Sequence, residues 1–154
     1  MTRIHCGHKK ITRKPLLREL CIRRTRVLAY VKKKRASMNK KDWSKYDYPA
    51  CIVAGRILSN KKSIFTDRSS KTQQNHYINT RFLNTLIYLG GFGGKYGSEG
   101  NRIGFCAEQR LAATILKVHP ACSVSDLEFS PTVRPRTAKV IPYCSNCKSI
   151  FPQL

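Results

Sequence analysis

The sequence predicts an α/β fold, and three observations carry that prediction. Strand-like runs occupy Ala50 to Leu58 and Ser63 to Thr66; apolar residues recur at helical spacing from Ile78 to Leu89 and from Cys106 to Lys117; short strand candidates follow at Leu127 to Thr132 and Lys139 to Ile141. At 154 residues the chain suits one domain with its own core and is too short for two such domains.

Each element has a local justification. Ser59, Asn60, Lys61 and Lys62 separate the first two runs, which reads as a hairpin. The polar stretch from Asp67 to Asn75 reads as a loop. Ile78, Phe82, Leu83, Leu86, Ile87 and Leu89 lie on one helical face, and Gly90 with Gly91 ends that helix. Seven of the nine glycines fall between Gly90 and Gly104, but no strand leads into this stretch and no Gly-Lys-Ser or Gly-Lys-Thr closes it. It therefore reads as a flexible loop feeding the next helix, and as a gate, rather than as a phosphate-binding loop. In that next helix Leu111, Ala112, Ile115, Leu116 and Val118 supply the face to be buried, and Pro120 stops it. A basic turn at Arg134 to Thr137 and a short helix from Cys144 to Ile150 complete the order.

Charge divides the chain unevenly. Thirty Lys and Arg against eight Asp and Glu give a net +22, and residues 1 to 49 hold 16 of the basic residues against three acids. Residues 1-48 read as a basic N-terminal segment and 49-154 as the chemical domain. Leu16, Leu17, Leu20, Ile22, Val27, Leu28 and Val31 interleave with the basic runs, so part of Pro15 to Lys34 is expected to form an amphipathic helix. It either grips a phosphate backbone or docks on the core. Such a charge predicts polyanionic partners and argues against a free-nucleoside salvage enzyme, which has no use for it. No run of about 18 apolar residues is present, so no membrane span is expected, and no secretory h-region follows the N-terminal charges.

The cysteines carry the chemistry. Cys144 and Cys147 form a C-x-x-C pair, and Cys106 precedes Glu108 by one residue. A structural zinc is normally closed by four protein ligands, whereas a catalytic zinc keeps three and leaves a position open. Three thiolates with a nearby carboxylate suit the second arrangement. Water bound at an open metal position is acidified to a pKa of roughly 7, and a carboxylate beside it can relay its proton. Cys6, Cys21, Cys51 and Cys122 show no disulfide-like spacing, which suits a reducing cytosol. His5, Cys6 and His8 lie in a charged tail without a second tight pair and read as tail rather than as a second metal site.

These residues resemble the zinc-dependent cytidine deaminase superfamily, whose signature is H-x-E or C-x-E followed by P-C-x-x-C. The chain has C-A-E at 106–108 and P-Y-C-S-N-C at 142–147, with Tyr143 inserted between the proline and the first cysteine. The stretches G-F-C-A-E-Q-R-L-A and T-V-R-P-R-T-A-K-V-I-P-Y-C-S-N-C-K look most like the YwqJ-related deaminase domains of bacterial polymorphic toxins. The resemblance implies a three-layer sandwich, with a central mixed β-sheet flanked by helices. It implies Zn2+ on Cys106, Cys144 and Cys147, Glu108 as catalytic acid and base, and hydrolysis of the C–N bond of a cyclic amidine. The favoured substrate is cytosine in a single-stranded or flipped-out strand, DNA ahead of RNA. An immunity protein as partner, and export within a larger toxin delivered to a target cell's cytosol, follow from the same likeness. Phe105, Tyr143, His76 and Tyr77 are candidates for base stacking, and Arg134, Arg136, Arg102 and Lys148 for lining the entrance. The alternative function is a non-enzymatic basic protein that binds nucleic acid and uses zinc only as a staple.

Overall fold

A computed structural model describes residues 14–70, 80–91, 93–96 and 101–154. It has four helices and a largely antiparallel sheet. The N-terminal helix α1 spans Lys14–Ala36. Strands β1 (Ile52–Ile57) and β2 (Asn60–Arg68) form a hairpin whose turn is the two residues Leu58 and Ser59, tighter than the four-residue turn the sequence suggests. Helix α2 spans Thr80–Tyr88 and leads to a two-stranded ribbon, β3 (Lys95–Tyr96) with β4 (Asn101–Arg102), within the glycine-rich stretch. Helix α3 (Ala107–Val118) follows, then β5 (Leu127–Phe129), β6 (Thr132–Val133), β7 (Val140–Ile141) and α4 (Ser145–Ile150).

The sheet order is β2-β1-β6-β7, with β5 also on β1. Every pairing among the described residues is antiparallel. This corrects the mixed sheet implied by the resemblance: β1 and β2 meet through a tight turn, and the chain after α3 returns against β1 rather than along it.

Strand β1 is buried along its whole length because it is covered on both faces. Ile52 and Ala54 pack with Val133 against Leu16, Leu20 and Val27 of α1. Val53 and Ile57 belong to the main core, with Leu111, Ile115, Leu127, Phe129 and Phe151. Alternation along the strand therefore places α1 on one side and α3 on the other. Gly55 makes the α3 side possible, since a Cβ there would lie 2.8 Å from the Leu111 side chain and 3.0 Å from the Glu128 carbonyl. Arg56 faces Glu128 across β1 and β5, and its Nε donates to the carboxylate at 2.7 Å in a nearly dry pair.

The run expected as one strand from Leu127 to Thr132 is two strands joined by a bulge. β5 and β6 lie along the same edge of β1, but the register steps by one residue between Gly55↔Phe129 and Ile52↔Val133. Pro131 has no N–H to give the ladder, and the Ser130 hydroxyl takes over a ladder position by accepting from Ala54 N at 2.9 Å. The step has a consequence for orientation. Leu127 and Phe129 face α3, and without a bulge Thr132 would face α1; with it, Thr132 turns toward α3.

The basic segment is bound into the fold. Leu16, Leu20, Val27 and Val31 form the buried stripe of α1, most of its charges lie outward though Arg23 Nε is buried, and Arg24 Nε donates to Pro135 O at 2.6 Å in the basic turn. At its far end Lys34 Nζ and Arg35 Nε reach Asp47 at 2.9 and 3.0 Å, and Asp47 also accepts from Ser44 N. These bonds, Lys34's first, hold the Asp47 carboxyl down at about 2. The clasp therefore stabilises the fold at all pH values above the ordinary carboxylate range and is lost as pH falls toward 2. Leu20 is fully buried, so Leu20→Ala is expected to cost about 2–5 kcal/mol in urea unfolding. A change below about 0.5 kcal/mol would mean that α1 is an appendage.

Candidate metal centre

Two helix starts converge on one point. Cys106 is the N-cap of α3 and Cys144 the N-cap of α4, both with extended backbone, and Cys147 sits one turn into α4 on the same side as Cys144. The Sγ atoms of Cys106, Cys144 and Cys147 all lie within 4.8 Å of one another, and those of Cys106 and Cys144 are 3.4 Å apart. Ligands at ~2.3 Å in a tetrahedron stand roughly 3.8 Å apart, so this spacing fits three thiolates on one metal ion. All three are free thiols, as are the other described cysteines. This is the single such donor group among the described residues.

Glu108 lies in the first turn of α3 and is 4% exposed. Cys147 Sγ approaches its Oε2 at 3.5 Å, and the Thr132 hydroxyl donates to its Oε1. Burial pushes the Glu108 carboxyl above its ordinary pKa, against the pull of the Thr132 hydrogen bond. The sulfurs divide their protons unequally. Hydrogen bonds from Cys106 and then Cys147 hold Cys144 well below the usual thiol range; the bond with Cys144 pushes Cys106 up, and bonds with Cys106 and then Cys144 push Cys147 up. A divalent ion bound here would take all three as thiolates.

A second layer holds this arrangement. Gln109 is fully buried; its Oε1 accepts from Gly104 N, and its Nε2 lies 3.6 Å from Cys147 Sγ as a donor. Arg110, also buried, donates to Arg68 O at 2.8 Å and anchors α3 to the end of β2. Asn146 donates from Nδ2 to Asn101 O at 2.9 Å, while its buried Oδ1 has no partner among the described residues. Such an acceptor is costly to leave unmade. Cys51, just ahead of β1, packs against the same core cluster, and its thiol is raised by burial first and by the Glu108 charge second.

The other candidate residues are distributed more widely. Phe105 is half-buried directly before Cys106, and its carbonyl accepts from Ser70 N at 3.2 Å. Tyr143 is packed against the core, with its hydroxyl donating to Ser130 O at 3.0 Å, which gives the inserted residue a structural attachment. Arg134 and Arg136 are exposed on the turn that Arg24 ties to α1. Arg102 and Lys148 are exposed. His76 and Tyr77 lie outside the described residues, as does the tail cluster of His5, Cys6 and His8. Sequence reasoning missed Thr132, Gln109, Asn146 and Cys51. Gln109 and Asn146 did carry a signal: Gln109 directly follows Glu108 and Asn146 directly precedes Cys147.

The geometry predicts one tightly held metal ion per chain. Chelator treatment should remove it, lower the melting temperature, and expose the Cys106, Cys144 and Cys147 thiols to a colorimetric thiol reagent; a site kept at about 1,000 times its dissociation constant loses ~4 kcal/mol of linked stability on stripping. Cys144→Ser should lose stoichiometric metal, and full retention would contradict the assignment. No family model matches the chain, and no curated protein or solved structure gives a significant match to it.

Proposed function

We propose that the chain is a zinc-dependent hydrolytic deaminase acting on cytosine in single-stranded or flipped-out nucleic acid, deployed as a bacterial toxin or effector domain in a target cytosol. The observation that carries this reading is the placement of Glu108: buried, held by Thr132, and facing Cys147 within a three-sulfur cluster. A fourth sulfur at the same point would argue for a staple instead, and the described residues bring none.

In this proposal Cys106, Cys144 and Cys147 hold zinc, which supplies Lewis acidity and an acidified water. Glu108 does the proton work. It takes a proton from the attacking water, passes it to the ring N3, and then carries the second proton to the departing amine, so that cytosine and water become uracil and ammonia. Burial suits it to this role, because a carboxyl whose pKa is raised holds and returns a proton more readily than an exposed carboxylate. Thr132 is a positioning residue: its hydroxyl fixes Oε1 and leaves Oε2 toward the sulfurs. The net charge of +22 favours a polymeric substrate over a free nucleoside. The same charge supports the second reading, a basic zinc protein that binds nucleic acid without turning it over.

Glu108 separates the two. Defined single- and double-stranded DNA and RNA are incubated with the protein and sequenced. Under the deaminase reading cytosine is converted, Glu108→Gln abolishes conversion with zinc still bound, and Thr132→Val lowers it by about 10–100-fold. Unchanged cytosines in all four substrates with zinc-loaded protein would leave the binding-protein reading standing.

A further inference from the structure

Four large aromatic side chains are strongly exposed among the described residues, and three of them, Tyr30, Trp43 and Tyr46, cluster in sequence at the end of α1 and the two short 3-10 turns that follow. They stand among exposed lysines: Lys32 and Lys33 on α1, then Lys40, Lys41 and Lys45 on the turns. Trp43 is fixed in place. The Arg35 guanidinium lies 4.9 Å from the Trp43 ring centre and 4.9 Å from that of Tyr48, so it fills the space between the two rings. Arg35 is itself held by Asp47 and by Ser44 O at 2.9 Å. One side of the indole is thus backed by a cation while the ring remains 41% exposed. Tyr30 stands one helical turn before Lys34, whose ammonium reaches the same Asp47.

We propose that this cluster is a stacking platform for single-stranded nucleic acid, with Trp43 as its base-stacking surface and Lys40, Lys41 and Lys45 as its phosphate-binding cations. An aromatic face surrounded by cations serves both parts of such a strand, since every base has a π-face and every linkage a charge. A membrane fits less well. The apolar stripe of α1 is already buried against the sheet, which leaves no apolar helix face to insert. The platform deepens the nucleic-acid part of the proposed function, and its position suits it to delivery. Only eight residues lead from Trp43 to Cys51, which packs against the same core cluster as Cys106 and Cys144, a chain span of at most about 29 Å.

Trp43 is the sole tryptophan of the chain, so its emission reports on this site alone. A thymidine oligonucleotide of about 20 nucleotides, which contains no cytosine to react, should quench that emission saturably. By anisotropy of the labelled oligonucleotide, Trp43→Ala should weaken binding roughly 10-fold with an unchanged salt slope. Trp43→Phe should retain most of the affinity. Removing Lys40 and Lys41 should lower the slope of log affinity against log salt by about 0.7 for each phosphate no longer neutralised. Binding without quenching, together with full affinity in Trp43→Ala, would overturn the platform. So would equal quenching by inorganic polyphosphate, or a blue shift with phosphatidylcholine vesicles containing about a quarter phosphatidylserine and none with the oligonucleotide. The measurement is repeated in Glu108→Gln and in metal-stripped protein. Retained quenching there with no deamination by the wild type would sink the enzyme reading and leave the platform intact.

Discussion

Glu108 is buried beside a cluster of three cysteine sulfurs, with Cys147 Sγ 3.5 Å from its Oε2, and the placement of α3 and α4 follows from that meeting. Four acidic groups this close, two of them buried, cannot all carry charge without a cation to join them. Hydrogen bonds among the sulfurs favour the thiolate at Cys144 and raise Cys147, while burial raises Glu108. With a cation bound, each acidic group gains a reason to ionise. The fold brings two helix starts to a single point, and the partial positive charge at each favours thiolates there.

The surrounding architecture exists to hold α3 still. Every residue from Ala107 to Ala113 is buried, including Glu108, Gln109 and Arg110, which makes α3 a central helix rather than a surface one. Gly55 admits Leu111 to the sheet, Arg110 fastens the helix to β2, and Gln109 braces Cys147 against Gly104. The bulge at Ser130 and Pro131 then turns Thr132 toward Glu108. On the opposite face α1 buries an apolar stripe and leaves most of its cations outside. The strongly basic segment is thus both part of the core and a densely charged surface.

Much of this was legible in the residues. The strand at Ala50 to Leu58, the helix opening at Cys106 and the short helix after Cys144 are where hydrophobic spacing and capping place them, within one or two residues. The sulfur cluster followed from ligand spacing, because a C-x-x-C pair and a distant C-x-E have few other uses in combination. Other features were not legible for physical reasons. The split of the Leu127 to Thr132 run depends on Ser130 replacing a backbone partner, a choice set by tertiary register rather than by propensity. Val118 has helical spacing with the apolar face yet is 57% exposed, because it lies at the end of the helix. The antiparallel direction of β5 against β1 likewise depends on how the chain returns after α3. Thr132 could not be assigned to Glu108 from sequence because 24 residues and a bulge separate them.

The central claim is that three cysteines hold a metal with one position left for water beside Glu108. X-ray absorption at the zinc edge of protein reconstituted with one equivalent tests this most directly. Three sulfur scatterers at ~2.3 Å and one oxygen or nitrogen scatterer at ~2.0–2.2 Å are expected, with Glu108→Gln leaving the three sulfurs in place. A shell of four sulfurs would mean a closed structural site and would contradict the claim.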